Sequence, residues 1–112
     1  MLDGQLICGH NLGTFIIKGN YGKLLSKEAG GWTYLKPKGV DSIMIGGNYY
    51  GLELFVKRNN QWVHKKKIFG FGASSRLMVN GDKGELWMSH GYKGIYRLHF
   101  NSSYDTVTTF TV

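Results

Sequence analysis

Short apolar runs separated by glycine-rich polar turns recur along the whole chain. The clearest case is residues 84–100, where the runs 86–88 and 95–100 flank a turn that contains Gly91 and Gly94. Alternating aromatic and aliphatic residues bounded by glycines are typical of a β-hairpin rather than of a helix. This stretch therefore predicts two antiparallel strands joined by a short turn.

The same order of features occurs three times. The glycines of the hairpin turns are Gly13, Gly51 and Gly94, at intervals of 38 and 43 residues. Each is followed, seven or eight residues later, by an asparagine in a polar turn: Asn20, Asn59 and Asn101. A period of roughly 40 to 45 residues that carries several short strands is the spacing of one blade of a β-propeller.

The repeats predict an all-β fold, a partial β-propeller of about three consecutive antiparallel sheets in units 1–29, 30–72 and 73–112. The first unit lacks its inner strand, because the chain starts directly with a turn at Asp3 and Gly4, and the other units have four strands. These units are too few to close a ring, which takes about four to eight blades. The predicted strands are 5–9, 13–18, 23–27, 32–36, 42–47, 51–57, 62–68, 75–79, 85–90, 94–100 and 107–112.

The composition fits a folded domain with a modest core. The 112 residues are 42% hydrophobic and 14% aromatic, which excludes a disordered chain. The 17 glycines stand between apolar runs and Pro37 falls in a predicted turn, so they indicate many short turns. No run approaches the roughly 18 to 20 apolar residues that span a bilayer, so no membrane span is predicted in this segment.

The charge balance is strongly basic. The chain has 14 Lys and Arg residues against 7 Asp and Glu, a net charge of +7, which indicates a polyanionic partner such as nucleic acid, acidic polysaccharide or a membrane surface. The basic residues are spread over all three units without a nucleic-acid-binding motif, so we do not expect this segment to bind nucleic acid. The lysine run 65–67 is interpreted as the solvated edge of a sheet, where lysines protect against aggregation.

Two motifs carry a resemblance to a known family. Residues 84–88, Gly-Glu-Leu-Trp-Met, and 94–98, Gly-Ile-Tyr-Arg-Leu, resemble the regulator propeller repeats in the periplasmic sensor region of hybrid two-component systems of gut Bacteroidetes. Residues 4–8 and 51–55 match the same pattern more loosely. The resemblance covers nearly the whole chain, as repeats, and implies blades of a sensory β-propeller.

Members of that family are long membrane-spanning proteins that also contain a sandwich domain, a histidine kinase and a DNA-binding regulator. None of these is present in the 112 residues. The resemblance therefore implies an excised piece of a periplasmic ligand-sensing propeller, with Met1 as an added start, which recognises an oligosaccharide or acts as a scaffold for dimerisation. The alternative is a stand-alone oligomeric binding module for a carbohydrate or a protein partner, which we expect in the cytoplasm because no signal peptide heads the chain.

The loops after the second strand of each unit, with the connections between units, are expected on one face of the propeller. His10 and His90 take corresponding places there, with Gly47 between them. Tyrosine rings stack on sugars while asparagine and lysine bond hydroxyl and acidic groups, so this rim fits an oligosaccharide or a polyanionic glycan. The alternative is that these are turn residues required by the backbone conformation. The candidate ligand-binding residues are His10, Asn11, Asn48, Tyr49, Tyr50, His90, Tyr92 and Lys93.

No catalytic motif occurs in the chain. The four histidines lack the spacing of a zinc site. The acidic residues show no pairing suited to acid–base work, and Ser74 and Ser75 lie in no Gly-x-Ser-x-Gly elbow. The sequence therefore predicts a non-enzymatic module without catalytic residues, cofactor or metal.

Strand alternation places about half of the side chains of each strand against a neighbouring sheet. Cys8, the single cysteine, lies in an apolar strand and is expected to be a small core residue. The first unit lacks an inner strand and the third lacks a following blade, so the exposed edges and faces predict self-association. The residues predicted to pack between blades are Ile7, Phe15, Ile17, Ile45, Leu54, Phe55, Leu86, Trp87, Ile95, Tyr96 and Leu98.

Overall fold

The computed structural model describes residues 5–112, which form eleven β-strands and no helix. The observed strand limits lie within two residues of the predicted ones, and the prediction of an all-β fold is confirmed. The turn predicted at Asp3 and Gly4 lies outside the described residues. The strands are β1 (Leu6–His10), β2 (Gly13–Lys18), β3 (Tyr21–Ser26), β4 (Thr33–Leu35), β5 (Ile43–Asn48), β6 (Gly51–Arg58), β7 (Gln61–Ile68), β8 (Leu77–Asn80), β9 (Glu85–His90), β10 (Gly94–Phe100) and β11 (Val107–Thr111).

The strands form three antiparallel sheets in chain order. Sheet 1 contains β1-β2-β3, sheet 2 contains β4-β5-β6-β7 and sheet 3 contains β8-β9-β10-β11, and each strand within a sheet is hydrogen-bonded to the next along the chain. Among the described residues, sheet 1 has three strands and the other sheets have four. The lysines of 65–67 lie on β7 at an edge of sheet 2, which agrees with their interpretation as an edge-protecting run.

The strand registers align the three hairpins residue by residue. In each hairpin the last residue of one strand pairs with the glycine that begins the next: His10 with Gly13, Asn48 with Gly51, and His90 with Gly94. The sequence pattern places Gly47 in this position, whereas the register places Asn48 there. The reason is that β5 continues through Asn48, so that the second turn consists of residues 49–50 alone.

Sheet 2 is buried on both faces, because sheets 1 and 3 pack against its opposite sides. Along β6, Leu52 and Leu54 face sheet 3 whereas Glu53 and Phe55 face sheet 1, and all four are at most 1% exposed. A strand that is covered on two sides is apolar at most positions, which explains the nearly continuous apolar run in β6. Burial of a large apolar side chain contributes about 1.5–3 kcal/mol, so β6 stabilises both junctions between sheets.

Two apolar clusters hold the sheets together, one at each junction. Ile7 and Leu25 from sheet 1 pack against the smaller cluster. The hydroxyl groups of Thr14 and Tyr34 share a 2.6 Å hydrogen bond across the same junction. The larger cluster, between sheets 2 and 3, contains Ile45, Leu52, Leu54, Ile68, Phe71, Met78, Leu86, Met88, Leu98, Phe100 and Val107. The smaller cluster, between sheets 1 and 2, contains Met44, Phe55 and Trp62.

Large apolar side chains lie on the outer faces of sheets 1 and 3, and no other described sheet covers these faces. We call them the tail face, on sheet 1, and the head face, on sheet 3. Strand alternation and the cross-strand pairs assign the residues of each face. The apolar side chains of the tail face are Leu6, Cys8, Phe15, Ile17 and Leu24, and those of the head face are Leu77, Val79, Trp87, Ile95 and Phe110. The head face also carries the polar residues Glu85, Ser89, Arg97 and His99.

These two faces account for the core predictions that are wrong. Ile95 is 48% exposed, Cys8 is exposed, and Phe15, Ile17 and Trp87 are partly buried. Period-two alternation separates the two faces of a strand but does not tell which face meets another sheet. The core predictions are confirmed for Ile45, Leu54, Phe55, Leu86 and Leu98, while Ile7 and Tyr96 are partly buried against the clusters.

Two glycines make room for backbone at the junctions between sheets. A Cβ at Gly9 would lie 2.2 Å from the carbonyl oxygen of Gly31, and a Cβ at Gly47 would lie 2.3 Å from that of Ser75. Gly31 and Ser75 belong to the connections 27–32 and 69–76, which lead into sheets 2 and 3. Glycine is therefore required where each connection crosses the preceding sheet, and the equivalent position of sheet 3 carries Ser89.

We expect Gly47→Ala to destabilise the fold by about 1–3 kcal/mol, because the added methyl group forces the backbone of Ser75 away from sheet 2. The matched control is Gly91→Ala, since an added Cβ at Gly91 meets no atom within 4 Å. Its free energy of unfolding should stay within about 0.5 kcal/mol of the wild type. Denaturant unfolding measures both values, and equal values for the two variants would contradict the close backbone approach.

Candidate functional site

The three hairpin turns share one hydrogen-bonding device. In each turn the side chain of the residue before the turn accepts a hydrogen bond from the backbone N–H two residues later, as side chains of this kind do in turns. The histidines accept through Nδ1, so in this arrangement the proton of each neutral ring is on Nε2. The bonds join His10 Nδ1 to the Leu12 N–H at 3.1 Å, Asn48 Oδ1 to the Tyr50 N–H at 2.8 Å, and His90 Nδ1 to the Tyr92 N–H at 3.1 Å.

Two of these residues, His10 and Asn48, also accept backbone hydrogen bonds from the connection that leads to the following sheet. The N–H of Gly31 donates to the carbonyl of His10 at 3.1 Å, and the N–H of Ser75 donates to the carbonyl of Asn48 at 2.9 Å. Side chain and backbone of His10 and Asn48 therefore stabilise two neighbouring pieces of chain at once. This role supports the interpretation of these residues as turn residues, and Asn48 is only 3% exposed.

Tyr49 links the turn of sheet 2 to the turn of sheet 1. Its hydroxyl donates a 2.6 Å hydrogen bond to Asn11 Oδ1, and its ring meets the Trp32 ring edge to face at 4.8 Å between centroids. Tyr50 extends outward beside it and is 58% exposed. The hairpin turns and the connections thus lie along one edge of the stacked sheets, which we call the turn edge.

A groove of about 340 Å³ opens at the turn edge between sheets 2 and 3. Trp32 is 40% exposed and Tyr92 is 98% exposed, so two aromatic rings border the groove. The Arg76 guanidinium carbon lies 5.5 Å from the centroid of the Trp32 ring, a cation–π contact. The groove is lined by Trp32, Ser74, Arg76, His90, Gly91 and Tyr92.

Two of the candidate ligand-binding residues, His90 and Tyr92, line this groove, and Lys93 follows them in the same turn. The structure places His10, Asn11, Tyr49 and Tyr50 at the neighbouring turns of sheets 1 and 2 instead. The sequence reasoning missed Trp32 and Arg76, which it assigned to strands. Only their position in the chain could have indicated them, because they are the last residues of the connections 27–32 and 69–76 and connections between units were expected on the same face as the turns.

A buried polar cluster lies between sheets 1 and 2, apart from the groove. Glu53 is fully buried, accepts a hydrogen bond from the Ser26 hydroxyl, and lies 3.2 Å from His64 Nε2 through the same carboxylate oxygen. Burial raises the pKa of Glu53, and it outweighs the opposing effects of the hydrogen bonds from Ser26 and Asn48 and of the nearby His64. Sequence patterning does not predict this cluster, because Glu53 appears in it only as a polar residue on a strand.

These three residues do not form the arrangement of a hydrolytic triad. In a triad the histidine lies between the serine and the acid and takes the proton of the hydroxyl. Here Ser26 and His64 both contact the carboxylate of Glu53, so the hydroxyl is bonded to the acid and not to the imidazole. The cluster therefore ties β3 of sheet 1 to β6 and β7 of sheet 2.

Comparisons with protein-family models, curated proteins and solved structures gave no match to this chain. Within residues 5–112, no three His, Cys, Asp or Glu side chains are grouped as a metal ion requires. The same residues include no helix that is long and apolar enough to cross a membrane.

We expect His90→Asn to keep the stability of the wild type, because Asn48 accepts the equivalent hydrogen bond in the turn of sheet 2. His90→Ala removes the acceptor for two N–H groups, those of Tyr92 and Lys93. Its loss should be about 0.5–1.5 kcal/mol, the usual net contribution of a hydrogen bond. Thermal and denaturant unfolding of both variants check this, and an equal loss in His90→Asn would show that the turn needs the imidazole itself.

The raised pKa of Glu53 predicts a definite dependence of stability on pH. A carboxyl group whose folded-state pKa lies above its ordinary value of 4.5 contributes stability below that pH, and this contribution is lost as the pH rises through the folded-state pKa. Glu53→Gln keeps a neutral hydrogen-bonding group and has no such loss. We therefore expect the free energy of unfolding of Glu53→Gln, minus that of the wild type, to increase as the pH is raised from 4.5, the ordinary pKa of the group.

Denaturant unfolding of both proteins at a series of pH values measures this difference, and the titration of groups distant from Glu53 largely cancels in it. Making the comparison on a His64→Gln background removes the titration of the imidazole that contacts Glu53. A difference that stays constant over the series would show that Glu53 has the same pKa in the folded and unfolded chains. A difference that decreases with pH would show that the carboxylate is stabilised by its partners, and it would reverse the assigned direction of the pKa shift.

Proposed function

We propose that this chain is a ligand-binding module made of β-propeller blades, and that it binds a carbohydrate in the groove at the turn edge. The observation that carries the proposal is the pairing of two exposed aromatic rings, Trp32 and Tyr92, with the guanidinium of Arg76 around one open groove. The rings border the groove from different sheets, so a bound sugar would contact both units.

Three features support the interpretation of the sheets as blades. Each complete sheet is a four-stranded antiparallel meander, and the sheets stack in chain order. Corresponding strands lie side by side, since β4 contacts β8 and β3 contacts β7. The hairpin glycines recur at intervals of 38 and 43 residues, close to the length of a blade of about 40 to 45 residues.

The chemistry of the groove suits a sugar better than an apolar ligand. Aromatic faces stack on the C–H faces of a sugar ring, and Arg76, the Ser74 hydroxyl and the Nε2–H of His90 supply hydrogen bonds to its hydroxyl groups. The groove volume of about 340 Å³ is at the lower end of the roughly 300–1,000 Å³ of small-molecule sites. It therefore has room for one or two sugar rings rather than for a long chain.

The resemblance to regulator propeller repeats gives the proposal its biological setting. In that setting the chain is part of the periplasmic sensor region of a bacterial two-component protein, where the propeller binds an oligosaccharide or acts as a scaffold. The reading frame around this segment tests the setting, because a parent sensor has a membrane span and a histidine kinase. If the reading frame encodes this chain alone, the alternative of a stand-alone oligomeric binding module is favoured.

A glycan array that includes neutral and acidic oligosaccharides, followed by calorimetric titration of the best ligand, tests the groove. We expect Tyr92→Ala and Arg76→Gln each to weaken binding about tenfold or more, which corresponds to roughly 1.4 kcal/mol. Tyr21→Ala is the matched control, because Tyr21 is a 62% exposed tyrosine on β3, outside the groove.

The stability-neutral variant His90→Asn separates the two roles of His90 in the same titration. It keeps the turn but removes the Nε2–H that borders the groove. Binding that is unchanged in both Tyr92→Ala and Arg76→Gln would exclude the groove as the carbohydrate site. Equal weakening in the Tyr21→Ala control would show that the losses are not specific to the groove.

A further inference from the structure

The head face and the tail face are the two halves of a junction that this chain already forms twice. In β2 and β6, the first and third residues after the hairpin glycine face the following sheet, as Leu52 and Leu54 do. The equivalent residues of β10 are Ile95 and Arg97, which lie on the head face. Position by position, the head face is therefore the surface that sheets 1 and 2 present to their successors.

The tail face corresponds in the same way to the surface that each sheet presents to its predecessor. The second and fourth residues after the hairpin glycine are Glu53 and Phe55 in sheet 2, and both face sheet 1. In sheet 1 these positions are Phe15 and Ile17, which face outward together with Leu24. The chain thus presents one unoccupied half of the junction at each end of its stack.

Exposure shows that both halves lack a partner among the described residues. On the head face, Ile95 takes the position of the buried Leu52 but is 48% exposed. The neighbouring Leu77 and Val79 are 61% and 56% exposed. At the other end, Leu6 is 50% and Leu24 is 41% exposed. Contiguous apolar patches of this kind on a soluble protein mark sites of interaction.

The charged groups of the head face do not oppose docking of an apolar surface. Arg97 forms a 2.6 Å ion pair with Glu85 within the face, and its guanidinium stacks on Phe110 at 4.4 Å. His99, on the same face, lies 3.5 Å from the same Glu85 oxygen through Nδ1. Covering the pair of Arg97 and Glu85 leaves neither charge without its partner, which is the condition under which buried ion pairs are tolerated. The five residues that form the tail face carry no charged side chain.

We propose that copies of this chain associate head to tail, with the tail face of one copy packed on the head face of another. The occupant is a second copy because the chain carries both complementary halves, and their contact continues the packing of its two internal junctions. Two copies would stack six sheets, a number within the roughly four to eight blades of closed propellers. This association is heterologous, so it needs both faces and does not depend on the proposed carbohydrate site.

Two charge variants test the proposal, one on each face. Ile95→Glu blocks the head face and Leu24→Glu blocks the tail face, and both positions are partly exposed, so that the fold should be kept. Light scattering over a range of protein concentrations should show assemblies of at least two copies for the wild type and monomers for each variant alone. A mixture of the two variants should recover a 1:1 complex, because one variant keeps its tail face and the other keeps its head face.

Recovery of a complex in the mixture of the two variants distinguishes head-to-tail packing from pairing of identical faces. If Ile95→Glu or Leu24→Glu alone still associated like the wild type, or if their mixture stayed monomeric, the proposal would be overturned. A monomeric wild type at high concentration would overturn it as well. Leu77→Glu and Leu6→Glu are a second pair for the same test should either first variant unfold, and Tyr50→Glu is a surface control outside both faces that should associate like the wild type.

Discussion

The burial of sheet 2 on both of its faces is the constraint on which the rest of the structure depends. Phe55 and Leu54 point in opposite directions from the same strand, and both are removed from water by a different neighbouring sheet. Sheets 1 and 3 each bury only one face, and each does so against sheet 2, so both outer sheets depend on sheet 2 for their buried contacts. The connections 27–32 and 69–76 must then cross the turn edge closely, and this passage positions the residues of the groove.

The fold could be predicted closely because its signals are local. Glycines at 13, 51 and 94 end the hairpin turns and begin the second strand of each hairpin, as expected, since such tight turns favour a residue without a side chain. Gly13 and Gly51 adopt positive φ angles of 143° and 137°. Strand limits follow from the alternation of apolar residues between these turns. What the pattern could not give is the partner of each face, because Trp87 and Ile95 have the same alternation as buried residues and lie on the last sheet of the stack.

The candidate site was predicted only in part, for a related reason. His90 and Tyr92 could be assigned to the turn edge from their place after a strand, but Trp32 and Arg76 reach the groove through connections whose path depends on packing between sheets. Glu53 illustrates the same limit, because its burial is a property of the junction and not of its own strand. At the turns themselves, His10 and Asn48 show that residue types typical of ligand sites also serve the turn backbone, and His90 combines the same turn contact with a place in the groove lining.

Ser89 distinguishes the head face from the equivalent surfaces of sheets 1 and 2. Gly9 and Gly47 leave space for the carbonyl oxygen of the next connection, whereas the equivalent position of sheet 3 carries the side chain of Ser89. A connection could therefore not cross sheet 3 as closely as 27–32 crosses sheet 1 and 69–76 crosses sheet 2. A sheet of a second copy arrives without such a connection and does not need this space, so Ser89 is compatible with docking on the head face while disfavouring a fourth sheet joined in the same way along one chain.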